Sequence, residues 1–595
     1  MLMFGHSIKR NLEERKIMEH QTQNWVKVAE LSEVPEGQPK AIQMGEGRSI
    51  ALFNVDGWIY ATDNQCPHMG YPLTRGTVRN GILTCDWHRR SFDLEGGGCF
   101  HVECDDLRTF PVEVRGTEIW IEPGDLTYRR AEEHKQLLRE GLLSEDRWTM
   151  SKAISLLLKG GVPEEEVMGS ILAHVSRHIA SSHGAEGGSD VSRLINGLKV
   201  GRRYGDADRL IAVTTAACSA AGPASERLEV VPLPEPVAWE KISRWVRNFS
   251  YEGQSGRIER CLFTAYHKGD ADKLCPLLFE CAVEPHFIDL PHIPLYVSYL
   301  SEVIDEFGWK SASELFFYLG AQLVGHRPDE PERYRRDAIT LMRQMLPTIE
   351  DAALEHTAEF DEDTFVAALT SVNIQRAFEA VQEVLVDGVK LERLITTLVL
   401  LAADRMASTP VNVDAGWENL TVELNLAASL RNAQRIGGNE VAAKGLFHVA
   451  WQIFANRWIN IPSRALSQPL SQEKLDVSNQ TEGIKHIIRT IQTLNVQEVG
   501  IQVLGYLNAD YCAERLLAEI GHTVLWDDTG SQILPTLRTV FEEWKYADGH
   551  PAQCQLLVGL ARYVTDIRTN KDNRSAATTA MRFAEGRTTI EVFEK

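Results

Sequence analysis

The sequence reads Cys66-Pro67-His68-Met69-Gly70 and then, with sixteen residues between His68 and Cys85, Cys85-Asp86-Trp87-His88. A Cys-x-His segment and a Cys-x-x-His segment each offer one thiolate and one imidazole. Four such donors hold either a single zinc ion or a two-iron, two-sulfur cluster, in which the cysteines bind one iron and the histidines bind the other. The surrounding sequence decides between these alternatives.

Short strands and tight turns surround both ligand segments. Ser49–Phe53 alternates in hydropathy and leads through Asp56-Gly57, a strong signal for a two-residue hairpin turn, into Trp58–Tyr60. A second hairpin joins Val112–Val114 to Ile119–Ile121. The pattern predicts a small all-β domain of antiparallel strands over about residues 25–123, with the ligand segments in loops between hairpins rather than in front of a helix.

The spacing around the ligands resembles the Rieske ferredoxin domain. Leu73, Gly76 and Gly81 separate the two ligand segments, and Phe92–Gly97 follows the second as in that family. The resemblance implies a Rieske [2Fe-2S] cluster bound by Cys66, His68, Cys85 and His88, in preference to zinc.

Two details of the loops refine the subtype that the resemblance implies. Respiratory Rieske proteins carry an extra cysteine in each loop, where this chain has Tyr71 and Trp87. The disulfide of that group therefore cannot form, and the domain is similar to the ferredoxin and dioxygenase type, with a potential toward about −150 mV. Arg89-Arg90 departs from the family, which usually has glycine after the second histidine. These arginines are either a docking surface for an acidic reductase or exposed loop charges.

The rest of the chain predicts helices. From about Arg129 onward apolar residues recur at three- and four-residue spacing, as in Lys152–Lys159, Glu165–Ile179 and Leu391–Met406. We expect a leader over residues 1–24, a linker over 124–145 and a large mainly α-helical domain over 146–595. A helical-hairpin repeat is suggested by turn glycines at 161, 269 and 388, each followed seventeen residues later by a polar residue, His178, His286 or Arg405.

Composition narrows the classes of function. The net charge of −21 disfavours nucleic acid as a partner. No apolar run approaches the roughly 18 to 20 residues of a membrane helix, and the opening residues lack a signal-peptide core, so we expect a cytoplasmic protein. Of the ten cysteines, the six outside residues 66–104 fall singly in apolar stretches, which is typical of reduced thiols. Cys99 and Cys104 flank a turn, where a disulfide or further metal site stays open.

Histidines of the helical region are candidates for a second metal site. His286 and His292, with Asp289 between them, provide the ligand types that non-haem Fe(II) favours. His178 shares a helix face with His174, and His448 lies in an apolar helical stretch. For each, the alternative is a hydrogen-bonded core residue or a surface group.

The helical region is also similar to that of a group of bacterial proteins in which a Rieske domain precedes a long helical region. The shared segments are 281–292 (CAVEPHFIDLPH), 445–458 (GLFHVAWQIFANRW) and the C-terminal 580–587 (AMRFAEGR). The region does not resemble the catalytic domain of Rieske oxygenases, a helix-grip sheet carrying iron on two histidines and a carboxylate.

The leading hypothesis is a Rieske oxidoreductase. A reductase or ferredoxin would reduce the cluster, and electrons would pass to non-haem iron held by His286 and His292, with His448 and His178 as further ligands, for dioxygen-dependent oxidation of an organic substrate. The alternatives are an electron carrier whose helical domain docks a partner oxygenase, and a redox sensor. A homo-oligomer also stays open.

Overall fold

The structure is a computed structural model that describes residues 25–44, 49–101, 104–122, 127–178, 184–223, 229–327, 333–350, 359–410, 416–462, 464–468, 479–525, 532–568 and 574–585. The chain forms two compact units. The first comprises Met1–Gln136, Lys152–Val162 and Ala576–Lys595, and the second comprises Leu137–Ser151 and Pro163–Ser575. The predicted leader, 1–24, lies outside the described residues.

The first unit contains an antiparallel β-domain, as the hydropathy pattern predicts. Both predicted hairpins are present: β3 and β4 join at Asp56-Gly57, where both residues have positive φ (54° and 81°), and β9 and β10 join at Gly116-Thr117. Positive φ at both central positions matches the right-handed twist of the strands. The ten strands are β1 Val26–Glu30, β2 Lys40–Gln43, β3 Ser49–Val55, β4 Trp58–Asp63, β5 Thr77–Arg79, β6 Ile82–Thr84, β7 Ser91–Asp93, β8 Thr109–Phe110, β9 Val112–Arg115 and β10 Glu118–Ile121.

These strands form three small sheets. Their orders are β1-β10-β9, β2-β3-β4-β8 and β5-β6-β7, and all pairings are antiparallel. The first ligand segment follows β4 and the second lies between β6 and β7. Both ligand loops are therefore anchored to strands at their ends.

Two hydrophobic cores support the β-domain. One of them contains Phe53, Leu73, Leu83 and Phe92 together with the two ligand cysteines, all nearly inaccessible to solvent. The other packs the remaining strands around residues such as Leu52 and Ile119. The ligand cysteines are thus part of a close-packed core, which fixes their positions.

Twenty α-helices make up the remainder of the described chain. They confirm the prediction of a mainly helical region, and the three quoted periodic stretches fall in α2, α3 and α13. The helices are α1 Thr127–Ser144, α2 Arg147–Lys159, α3 Glu164–His178, α4 Gly184–Gly201, α5 Asp206–Ser219, α6 Trp239–Glu252, α7 Ser255–His267, α8 Leu274–Ala282, α9 His292–Val324, α10 Arg333–Glu350, α11 Glu362–Leu369, α12 Ile374–Val386, α13 Leu391–Ser408, α14 Trp417–Ala455, α15 Gln480–Gln492, α16 Val496–Asn508, α17 Ala513–Leu525, α18 Ile533–Tyr546, α19 Cys554–Ile567 and α20 Arg574–Ala584.

The predicted domain bounds stay a prediction. Helix α1 occupies most of the segment predicted as a linker, and parts of helices α2 and α20 belong to the same compact unit as the β-domain. Hydropathy changes sharply near residue 123, but compactness depends on which surfaces pack together, which the one-dimensional pattern does not record.

The predicted helical repeat stays a prediction. Its three turn glycines all have positive φ, at 82°, 90° and 82°, directly after a helix end. The following segments differ, because His178 and Arg405 lie within helices whereas His286 lies in a 3-10 turn, Pro285–Phe287. None of the helices that the structure describes is both long and apolar enough to cross a membrane.

Candidate metal centre

The two ligand loops have the same backbone hydrogen-bond pattern. In the first, Gly70 N donates to Cys66 O (2.8 Å) and Cys66 N donates to Tyr71 O (2.8 Å). In the second, Arg89 N donates to Cys85 O (3.0 Å) and Cys85 N donates to Arg90 O (2.8 Å). Each cysteine is therefore held at both its N–H and its C=O by its own loop, although the two spacings, Cys-x-His and Cys-x-x-His, differ.

The four side chains form a thiol pair and an imidazole pair. Cys66 and Cys85 are buried and joined by a hydrogen bond between their side chains. The ring centroids of His68 and His88 lie 4.7 Å apart at an interplanar angle of 88°. The thiol pair lies in the core, whereas His68 is half-buried and His88 is exposed to solvent.

This division into pairs fits a two-iron cluster. The thiols of Cys66 and Cys85 form one pair, and the imidazoles of His68 and His88 form the other. A tetrahedral zinc site would need all four ligands around one ion, whereas a Rieske cluster needs two cysteines for one iron and two histidines for the other. The donor set and its arrangement therefore fit the [2Fe-2S] group better than zinc.

The pKa shifts of the two cysteines and of His88 have opposite consequences for metal binding. The pKa of Cys66 is raised to about 11, mainly by a hydrogen bond with Cys104 and further by burial. The hydrogen bond with Cys66 and burial raise the pKa of Cys85 as well. Burial lowers the pKa of His88, which favours the neutral imidazole that binds iron. Binding of the cluster must displace the two thiol protons.

Arg89 has a backbone conformation that is unusual for its residue type. Its φ is 57°, and in the matching loop position Gly70 has a φ of 78°. A left-handed conformation costs a residue with a Cβ on the order of 1 kcal/mol, which explains why the Rieske family usually has glycine here. The Arg89 side chain is 74% exposed and contacts Asp86 at 3.4 Å. Arg89 thus combines a strained backbone with an exposed guanidinium next to His88, which is compatible with a docking surface for an acidic reductase.

None of the ten cysteines, all of which lie in the described part of the chain, forms a disulfide. Tyr71 and Trp87 occupy the places of the cysteines that form the respiratory disulfide, and their rings lie 6.1 Å apart. Cys99 and Cys104 form no disulfide with each other, and both pack against the core that contains the ligand cysteines.

In the second unit, two of the predicted histidines are neighbours. The pKa of His286 is lowered to about 4 by burial first, and then by the nearby charges of Arg343 and His448. His448 is fully buried, and burial lowers its pKa to about 4 as well. Nε2 of His448 lies 2.9 Å from Val283 O, so Nε2 carries the proton and Nδ1 has a lone pair without a hydrogen-bond partner. Nε2 of His286 is also buried without a partner.

The other predicted metal ligands have different neighbours. The ring of His292 lies 6.0 Å from Tyr296 and 6.5 Å from His326. Nδ1 of His178 lies 3.1 Å from Pro223 O, and its ring stacks at 6.3 Å on that of His174. Asp289 accepts hydrogen bonds from Arg335 and Trp451, each at 2.9 Å. The structure thus brings together His286 and His448 rather than His286 and His292.

The second unit also contains a cavity of about 650 Å³. Buried ion pairs line it: Arg538 Nη1 lies 2.6 Å from Glu302 Oε2, and Arg431 binds both oxygens of Glu543 at 2.7 Å. Charged groups are rarely buried unless they are paired. The charged groups that line the cavity are therefore paired with one another.

One residue close to the ligand loops was not anticipated from the sequence. Lys152 of α2 reaches the carbonyl of Pro67, which lies between two ligands. The only signal in the sequence is a lysine within a stretch of buried positions, Met150–Ser155. That pattern indicates a paired ammonium but does not identify its partner.

Comparison with known proteins identifies the class of the N-terminal segment. Residues 24–111 match the family model of the Rieske [2Fe-2S] domain. The ferredoxin component of the naphthalene 1,2-dioxygenase/salicylate 5-hydroxylase systems of Ralstonia sp. is 33% identical over 101 residues, which are 17% of this chain and 96% of that protein. The ferredoxin component of the naphthalene 1,2-dioxygenase system of Pseudomonas aeruginosa is 33% identical over 103 residues, 17% of this chain and 97% of that protein.

This protein is therefore an iron–sulfur protein of the Rieske type. Through residues 24–111 the chain belongs to the Rieske [2Fe-2S] family. Among solved structures, the ferredoxin of Sphingomonas yanoikuyae B1 is 29% identical and covers 17% of this chain and 100% of that one, with a TM-score of 0.16.

Proposed function

We propose that this chain carries single electrons through a Rieske [2Fe-2S] cluster on Cys66, His68, Cys85 and His88, and delivers them to an oxidation reaction. The observation that carries the proposal is the separation of a buried thiol pair from an imidazole pair, of which His88 is exposed, on two loops of matching hydrogen-bond pattern. The relatives that work as ferredoxin components of dioxygenase systems support it.

The residues around the ligands have different roles in electron transfer. The cluster, when bound, supplies a one-electron redox couple. The core around Phe53 and Leu83 excludes water from the cysteine side, while the exposed edge of His88 gives a short path for electrons to and from a docked protein. Arg89 next to it offers a positive charge to an acidic reductase or ferredoxin.

The experiment that tests this proposal is reduction of the anaerobically purified protein. Dithionite is expected to produce a rhombic EPR signal, with about two irons and one accepted electron per chain. Ferricyanide should then remove the same single electron. Protein that contains zinc alone and gives no rhombic signal would exclude a Rieske centre in this chain.

We further propose that the helical unit holds a second iron. The observation in its favour is the pair His286 and His448, whose neutral rings each leave one buried nitrogen without a hydrogen-bond partner. His448 also donates its other N–H to a backbone carbonyl, which is how proteins commonly orient a metal-binding imidazole. His286 and His448 would hold the iron, and among the described residues no third His, Cys, Asp or Glu side chain joins this pair. His292 and His178 are not required.

Metal analysis of variants tests the second iron. We expect more than about two irons per chain in the loaded protein, and a fall to about two in the His286→Ala and His448→Ala variants with an unchanged cluster EPR signal. His267, at the exposed end of helix α7, provides the control, since His267→Ala should leave the iron content unchanged. Only two irons in the unmodified protein would instead favour an electron carrier that docks a partner oxygenase.

A further inference from the structure

Lys152 contacts the first ligand loop although it lies well beyond the matched segment, which ends at residue 111. Its Nζ donates a hydrogen bond of 2.6 Å to the carbonyl of Pro67, the residue between ligands Cys66 and His68. The same Nζ donates a second bond of 2.6 Å to Oδ2 of Asp105. One ammonium group therefore joins the cluster loop to the loop that precedes β8.

The ammonium of Lys152 is enclosed. Only 7% of its side chain is exposed, against 47% for Asp105. The ring centroid of Phe583, from the C-terminal helix α20, lies 5.0 Å from Nζ, and a Cβ built on Gly70 would lie 3.1 Å from the same ring. Water therefore screens the carboxylate more than the ammonium, and a net positive charge acts on the cluster loop.

We infer that Lys152 sets the reduction potential of the cluster, as a positioning residue that acts through the backbone of Pro67 and through its own charge. Reduction adds one negative charge to the cluster, and a fixed positive charge in a region of low dielectric constant stabilises the reduced form. This inference rests on the proposed function, because it needs the cluster on the four ligands.

The two members of the ion pair have opposite expected effects. Lys152→Met removes the positive charge and should lower the midpoint potential. The reduced-to-oxidised ratio at the original midpoint should fall about tenfold, which for one electron is about 59 mV. Asp105→Asn removes the negative charge and should raise the potential. A purely structural role for Lys152 would not produce shifts of opposite sign at these two positions.

Matched controls come from the same helix and from a conservative change. Lys159 is exposed at the end of α2, and Lys159→Met should leave the potential unchanged. Lys152→Arg keeps the charge and should retain most of the original potential. The measurement is a redox titration followed by EPR and visible absorption, both of which also report how much cluster is bound.

Three results would overturn the inference. They are equal potentials for the Lys152→Met and Lys159→Met variants, shifts of the same sign at Lys152 and Asp105, and an unchanged potential in Asp105→Asn. If Lys152→Met binds no cluster, the inference can still be tested with Asp105→Asn, because Asp105 is exposed. If the unmodified protein gave no Rieske signal, the proposed function itself would fail, which distinguishes that outcome from a failure of the inference alone.

Discussion

Cys85→Ser is expected to abolish the cluster. Iron should fall from about two per chain to near zero, and the rhombic EPR signal of the reduced protein should disappear. The reason is chemical, because iron–sulfur clusters bind thiolate, and a serine hydroxyl does not ionise near neutral pH. Cys85 is 1% exposed and part of the same core as Phe92 and Leu83, so no other donor can move into its place without repacking that core.

Cys99→Ser is the matched control for this prediction. Cys99 lies in the same domain and packs against the same core, and its backbone N donates to Asp106 Oδ1 at 2.7 Å. The Cys99→Ser variant should keep its full iron content and an unchanged EPR signal. A Cys85→Ser protein that retained the rhombic signal would show that this residue is not a ligand.

The sequence was informative where function depends on local spacing. The hairpin at Asp56-Gly57 and the Rieske domain could be predicted because turn chemistry and ligand spacing are both encoded within a few neighbouring residues, while the assignment of the four ligands stays a prediction. The helical character of the remainder followed from its period of three to four residues, as in α13.

Long-range proximity was not accessible in the same way. His286 and His292 are close in sequence, but the chain turns through Pro285–Phe287 and then enters α9, which gives each ring a different set of neighbours. His448 reaches His286 only because α14 packs on the preceding segment, where Val283 O accepts its hydrogen bond. The contact of Lys152 with Pro67 likewise spans 85 residues.

Arg431→Met should destabilise the helical unit by about 3 to 5 kcal/mol. Arg431 binds Glu543 through two hydrogen bonds of 2.7 Å, and the two side chains are only 14% and 4% exposed. Removal of the arginine leaves a buried carboxylate without its counter-charge. Chemical denaturation followed by the helical circular dichroism signal measures the effect.

Arg435→Met is the control, because it removes the same side chain one turn further along α14. Arg435 pairs with Asp305, but the two side chains are 56% and 51% exposed, so the loss should stay within about 1 kcal/mol. Equal destabilisation in the two variants would contradict the assignment of a buried ion pair at Glu543.

The pH dependence gives a second test of the same ion pair. Burial already raises the pKa of Glu543, while Arg431 opposes that rise. Without Arg431 the pKa of Glu543 in the folded state must rise further above its unfolded value. A group with a raised folded-state pKa favours folding at low pH and disfavours it as pH increases through that pKa. The difference in unfolding free energy between Arg431→Met and the unmodified protein should therefore become smaller from pH 8 to pH 5, because protonation of Glu543 removes the unpaired charge. If the loss of unfolding free energy did not depend on pH, its cause would be lost packing against Tyr546, whose ring lies 3.8 Å from the guanidinium. It would not be the unpaired charge of the buried Glu543 carboxylate.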